Sequence, residues 1–434
     1  MNIQTDAHGK ALSLNLSGSI YGTFAEIGAG QEVARWFLSV GAASGSVAKT
    51  ISAYDKRVSD EIYGAGTRYV SKERLVAMLE REYSQLLERL NATRGSDARF
   101  FVFADTVATR NFHGTNDPNG WIGISFQTEP GSEPSQVLLH VHLCDSTAQL
   151  QQLAIGILGV NLVYAAFHQT EGMDAFLAGL FDELSLDRIE IDAIEVSGPA
   201  FANQVSAEWC LSLVYRKMTH AVVFQAKGDV VEPASVLRKR PLLVMRGTFS
   251  HPELVDGDLF EAAHRQLVAE GIPLEREAVS LLEMSIRHVS RVETFSATGI
   301  LACIRRLKTS GPIAVTDFPE TYLLSRYLQR HTTESVRFVL SIAAAAKVLH
   351  ETFYENLPGT LLEGLGRLLA TNVKLYVAAM PREAFAEALR DLATTLALKD
   401  TDTGFVTLDD LLPAAPVSHL VAYLRATDRL VALQ

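Results

Sequence analysis

Apolar positions recur along this chain with two periods, and the period changes with position. Residues 31–40 and 71–91 carry apolar side chains at helical spacing, the second through Leu75, Met78, Leu79, Leu86, Leu87 and Leu90. Ser71 offers an N-cap to that helix, although Arg74 stands where a capping box needs Glu or Gln. Region 1–95 is therefore predicted to be mainly helical. From residue 99 the texture changes to β-branched and aromatic runs, at 99–105, 121–127, 137–143, 188–196, 221–225, 241–249, 312–318, 336–342 and 373–380. The apolar stretch 148–168 between two of these runs predicts a buried helix. Strand–helix–strand order implies an α/β fold, with mixed or parallel sheets flanked by helices. The expected organisation is a helical N-terminal region 1–95, a first α/β unit 96–250, a second 251–380 and a helical segment 381–434.

The two α/β stretches echo each other. Each runs strand ending in Asp, strand, long helix, glycine-containing helix, strand, with Gly179-Leu180 and Gly364-Leu365 in similar places before the last strand. This predicts an internal duplication in which Asp105 and Asp317 are equivalent. Both would then lie at strand C-termini, where ligands bind in open α/β sheets.

Composition narrows the function classes. A net charge of −11 over 434 residues leaves no general basic footprint for nucleic acid. Three dispersed cysteines, Cys144, Cys210 and Cys303, give no disulfide framework and suggest a reducing, cytoplasmic setting. No secretory leader pattern opens the chain. The longest apolar run, 153–167, is too short to span a bilayer and is interrupted by Asn161, so no membrane partner is expected.

Candidate chemistry concentrates in two places. Gly28 and Gly30 precede a helix, but Val33 stands where the dinucleotide fingerprint needs a third small residue. Residues 43–50 end in Lys49-Thr50 like a phosphate loop whose glycines are replaced by Ala43 and Ala48. Gly28, Gly30, Lys49, Thr50 and Asp55 are thus candidate phosphate-binding residues, with a tight turn and a helix cap as the plain alternatives. The second place is the strand-end acid Asp105 and the loop after it, with Thr106, Arg110, Asn111, His113 and Asp117. Asp105, Arg110 and His113 are the catalytic candidates, since an acid beside Arg and His suits acid–base work or phosphate clamping.

His140 and His142 share one strand face, where Asp105 or Asp145 could complete a chelate. No further Cys or His lies at ligand spacing, so no metal is expected, and the cofactor is left unassigned. The basic clusters Arg238-Lys239-Arg240 and Arg305-Arg306 with Lys308 read as solvated helix ends or as anion contacts.

The segments FAEIGAGQEVARWFLSVGAASGSVAKTISAYDKRVSDEIYG, RFFVFADTVATRNF, LAIGILGVNLVYAAF and ETFYENLPGTLLEGLGRLLATNVKLYV resemble a large uncharacterised family of cyanobacteria, other bacteria and plants. Members of that family are often labelled nicotinate-nucleotide adenylyltransferases. The resemblance covers most of residues 20–380 and implies a shared fold. The His-x-Gly-His element of the adenylyltransferases is absent, with only Gly18 to Gly22 resembling its opening, so no catalytic residue carries over. Taken together, the expectation is a cytosolic enzyme or binding protein for a phosphorylated small molecule such as a nucleotide. The alternative is a non-catalytic assembly protein forming a homo-oligomer, which light scattering would distinguish.

Overall fold

The computed structural model describes residues 6–66, 68–247, 257–272, 277–287, 295–307, 309, 311–370, 372–390, 392, 396–399 and 403–433. The chain is an α/β protein with mixed sheets flanked by helices, as its patterning predicts. It divides into two compact units, Met1–His220 and Ala221–Gln434. The unit boundary thus falls at residue 220 rather than near 95 and 250. Region 1–95 is not a separate helical domain, because it contributes two strands to the first sheet.

The first unit runs α1 (Ala7–Leu16), β1 (Ile20–Ile27), α2 (Gln31–Ser39), β2 (Val47–Ser52), α3 (Lys56–Tyr63), α4 (Lys72–Arg94), β3 (Arg99–Ala108), β4 (Asn119–Phe126), β5 (Ser135–Leu143), α5 (Ala148–His168), α6 (Met173–Leu180), β6 (Ile189–Ser197) and α7 (Ser206–Tyr215). Its six strands lie in the order β2-β1-β3-β4-β5-β6. β1 pairs parallel with β2 and β3, whereas β3 to β6 follow antiparallel. The glycine-rich sequence of β1 argues against a strand, yet the fold uses its glycine for close packing. A Cβ at Gly22 would lie 2.3 Å from the Phe101 carbonyl oxygen.

One face of this sheet packs on α4, through Leu75, Met78, Leu79 and Leu86 against Ala25, Phe100, Val102, Ala104, Trp121 and Leu138. Ser71 caps α4 as expected, accepting a bond from the Arg74 amide at 3.2 Å. The other face carries a chain of aromatic contacts, with Phe24 4.8 Å from Phe37 and 5.5 Å from Phe101 between ring centroids. α5 crosses α2 closely on this face, since a Cβ at Gly159 would meet Val33 Cγ2 at 2.4 Å. At 21 residues α5 is longer than the apolar run suggests, and by length and composition alone it could cross a membrane. Two thirds of its most apolar window, 67%, is nevertheless buried inside the fold, as a core helix requires.

The second unit begins with the antiparallel pair β7 (Ala221–Phe224) and β8 (Val230–Val231), followed by β9 (Leu242–Arg246), β10 (Val279–Ser285), β11 (Ile313–Thr316), β12 (Val336–Ser341) and β13 (Val373–Ala378). Two small ribbons come next. β14 (Met380–Pro381) pairs with β16 (Phe405–Val406), and β15 (Leu396–Leu398) with β17 (Leu411–Pro413); β18 (Leu430–Ala432) returns to the main sheet. The main order is β18-β13-β12-β9-β10-β11-β7-β8, with the six strands from β18 to β11 parallel. The chain winds outward from β9 to β11, then restarts at β12 beside β9 and winds the other way. That reversal makes a doubly wound sheet. Alternating residues serve its two faces: Leu242 and Val244 join one core, Leu243 the other.

Three expectations change here. Residues 251–310, which the patterning reads as mainly helical, contain the strand β10, and the segment after 380 adds five short strands to its helices. The predicted strand 241–249 is seen to Arg246, while residues 248 and 249, like Lys308, lie outside the described residues. The duplication does not survive the topology. β5 and β6 are antiparallel neighbours, whereas β12 and β13, their supposed counterparts, are parallel. β3 and β5 are separated by one strand, β11 and β12 by two. The echo reflects what any buried strand and helix need in composition, not a shared connectivity.

Candidate functional site

The C-terminal edge of the parallel strands β1 and β3 holds two carboxyl groups side by side. Glu26 and Asp105 are register partners across the two strands, and both are buried, at 3% and 0% exposure. Among the described residues, neither Asp105 oxygen has a hydrogen-bond partner, nor has Glu26 Oε1. Burial pushes the Glu26 carboxyl up to about 7, opposed by a bond from the Ala34 backbone. Burial, with the Glu26 charge added, holds Asp105 well above the usual carboxylate range. Glu26 thus ionises first and Asp105 keeps its proton, as two close carboxyl groups in one low-dielectric site must.

The turn from β1 into α2 is shaped around this pair. Gly28 has a φ of +100°, and a Cβ there would lie 2.0 Å from the Val107 carbonyl oxygen. At Gly30 a Cβ would meet Asp105 Oδ2 at 1.7 Å, so any side chain would displace the carboxylate. Both glycines therefore border the carboxyl pair, Gly30 against the Asp105 carboxyl and Gly28 against the Val107 carbonyl. Beside them opens a cleft of about 460 Å³, lined by Glu26, Gln31, Arg35, Thr50 and Ser52 among others. Gln31 Nε2 donates to Ser52 Oγ at 3.0 Å and Arg35 pairs with Glu32 at 2.6 Å.

The other candidates separate. Thr50 faces this cleft, but its neighbour Lys49 projects from the opposite side of β2. There the Lys49 ammonium is held by the buried Glu82, which also accepts from Tyr63 at 3.0 Å. The Lys49-Thr50 pair is thus split by strand alternation. Asp55 caps α3, accepting from the Arg57 and Val58 amides at 2.9 and 3.2 Å. Arg110 and His113 are exposed in the loop after β3, away from the buried Asp105. The Arg110 amide donates to Gln151 Oε1 at 2.8 Å, and the His113 ring meets Phe112 edge to face. Asp105, Arg110 and His113 are not brought together.

On the opposite face at the same end of the sheet, His140 and His142 meet a carboxylate that sequence reasoning did not supply. The β5–β6 register slips between His140 and Val141: His140 pairs with Ala193, Val141 with Ile191. Asp192 is the extra residue, and the bulge aims it at both rings. His140 Nδ1 lies 2.5 Å from Asp192 Oδ1, and His142 Nε2 lies 3.1 Å from Asp192 Oδ2. Neither proposed third partner takes part. Asp105 lies across the sheet, and Asp145 pairs with Arg188 at 3.2 Å. Burial would raise Asp192, but the two imidazoles hold it well below the usual carboxylate range. Burial would lower His142, yet Asp192 and Asp117 bring it up to about 10.

The second unit has a polar group of its own at the C-terminal ends of β9 to β11. The buried Glu283 lies 3.0 Å from Arg246 Nε and accepts from Thr316, and burial raises its carboxyl. Asp317 lies 4.0 Å from Arg287. Arg240 contacts Glu277 at 3.4 Å and Arg305-Arg306 close a helix, as solvated ends do. Glu26 and Glu283 share one legible signal, a lone acid inside a mostly apolar strand, whereas Asp192 shares its strand with Glu190 and Glu195.

No family model matches the chain, and no curated protein matches it in sequence. Among solved structures it is similar to the competence/damage inducible protein CihA from Agrobacterium tumefaciens, at 16% identity, TM-score 0.28, over 38% of this chain and 98% of that one. A competence or damage-inducible protein from Enterobacter asburiae aligns at 11% identity and TM-score 0.27, over 38% and 99%. A CinA superfamily protein from Escherichia coli aligns at 14% identity and TM-score 0.26, over 41% and 91%. At these scores the functional reading rests on the chain's own geometry.

Proposed function

We propose that the first unit binds a phosphorylated small molecule, such as a nucleotide, in the cleft beside α2, and that Glu26 exchanges a proton with it. The observation that carries this reading is Glu26, a buried carboxyl lining that cleft and titrating at about 7. A group whose affinity for protons matches neutral pH is suited to general acid–base work. Asp105 beneath it keeps the pair short of double ionisation. The cleft volume, about 460 Å³, falls within the range that small-ligand sites occupy. Arg35 offers planar donors for a phosphate, and Gln31, Thr50 and Ser52 offer neutral ones.

Thermal-shift titration with nucleotides and sugar phosphates tests this proposal. Ligand at 100 times Kd stabilises by about 2.7 kcal/mol. Arg35→Ala should weaken that stabilisation, whereas Glu26→Gln should keep binding and abolish turnover. No shift with any phosphorylated ligand at millimolar concentration would remove the proposal.

A further inference from the structure

We propose that His140, His142 and Asp192 form a binding site for a divalent transition metal of the zinc class, independent of the cleft beside α2. Each side chain offers one ligand atom, and these atoms lie within 4.8 Å of one another. All three residues are buried, at 1%, 5% and 2% exposure. Zinc bonds of about 2.0–2.2 Å place tetrahedral neighbours about 3.4 Å apart. The 2.5 and 3.1 Å contacts run to the two different oxygens of Asp192, and the three ligand atoms, within 4.8 Å of one another, need only side-chain adjustment to meet one ion. Two imidazole nitrogens and one carboxylate oxygen make a borderline donor set, and three protein ligands leave a position for water or substrate.

The surroundings have the features of an outer shell. Asp117 Oδ1 lies 3.7 Å from His142 Nδ1, the ring nitrogen that does not face Asp192. A carboxylate there fixes the tautomer that presents Nε2 to a metal. The Trp121 ring packs on His140 with centroids 5.0 Å apart, holding that imidazole in place. Asp117 stands in the loop between β3 and β4 with its side chain 58% exposed, and this gives the cluster a route to solvent. The expectation of no metal rested on ligand spacing in sequence. The fold removes that ground, because the third ligand comes from a strand 50 residues further on, through a bulge.

Full-length protein, stripped with a chelator, is titrated with zinc by calorimetry and with cobalt by absorbance and fluorescence. The expected result is one equivalent of zinc, visible cobalt bands, and quenching of Trp121 emission that Trp121→Phe removes without changing stoichiometry. His142→Gln and Asp192→Asn should weaken zinc by about 100-fold or more, and the exposed Asp117→Asn by about 10-fold. If the buried variants fail to fold, Asp117→Asn and the Trp121 quench decide. Absence of binding at millimolar zinc, an unquenched Trp121, or an affinity that the folded variants leave unchanged overturns the proposal.

Discussion

Asp105 and Asp192 are the same residue type in the same sheet, both almost fully buried, and they are held in opposite protonation states. Asp105 faces a second carboxyl and, among the described residues, no donor, and its proton stays on. Asp192 faces two imidazoles, and its charge is kept. Desolvation is common to both, so the difference lies in the neighbours. One site stores a proton, whereas the other stores a negative charge able to attract a cation.

Substitutions can break that contrast. The largest effect is expected at Asp192. Asp192→Asn leaves two buried imidazoles without their carboxylate and should cost about 3–5 kcal/mol in chemical denaturation. A loss below 1 kcal/mol would mean that the triad holds little of the fold together.

The next effect is a pH slope. Glu26 has its folded value raised to about 7 from 4.5, so its contribution to stability is fully present below 4.5 and lost as pH rises through 7. The loss is about 3 kcal/mol. Stability measured across this window should fall in the native protein and fall less steeply in Glu26→Gln, where the Asp105 contribution remains. A slope unchanged by the substitution would place Glu26 in contact with water.

The smallest effect belongs to Asp105→Asn. Asp105 keeps its proton in the folded state, so a neutral side chain of the same shape should change stability by about 1 kcal/mol or less below about pH 4, where the unfolded aspartate is protonated too, and should make the fold more stable than the native protein as pH rises above that. The contrast with Asp192→Asn is what sharpens the comparison. A loss as large as that of Asp192→Asn would show that Asp105 is ionised and paired.

Sequence alone determined the α/β class, the strands β3 to β6, the cap at Ser71 and the shared face of His140 and His142. These follow from period, composition and local bonding, which act over a few residues. It singled out Asp105 and Gly30 but not Glu26, which lies 79 positions before Asp105. β1 escaped detection because Gly18 and Gly22 read as breakers, although Phe101 fills the space above Gly22. Lys49 and Thr50 looked like one anion site until strand alternation sent them to opposite faces. Asp192 looked like any strand acid until a one-residue bulge turned it toward the histidines. Only the tertiary structure could decide these, because strand order, register and bulges are set by packing between segments far apart in the chain.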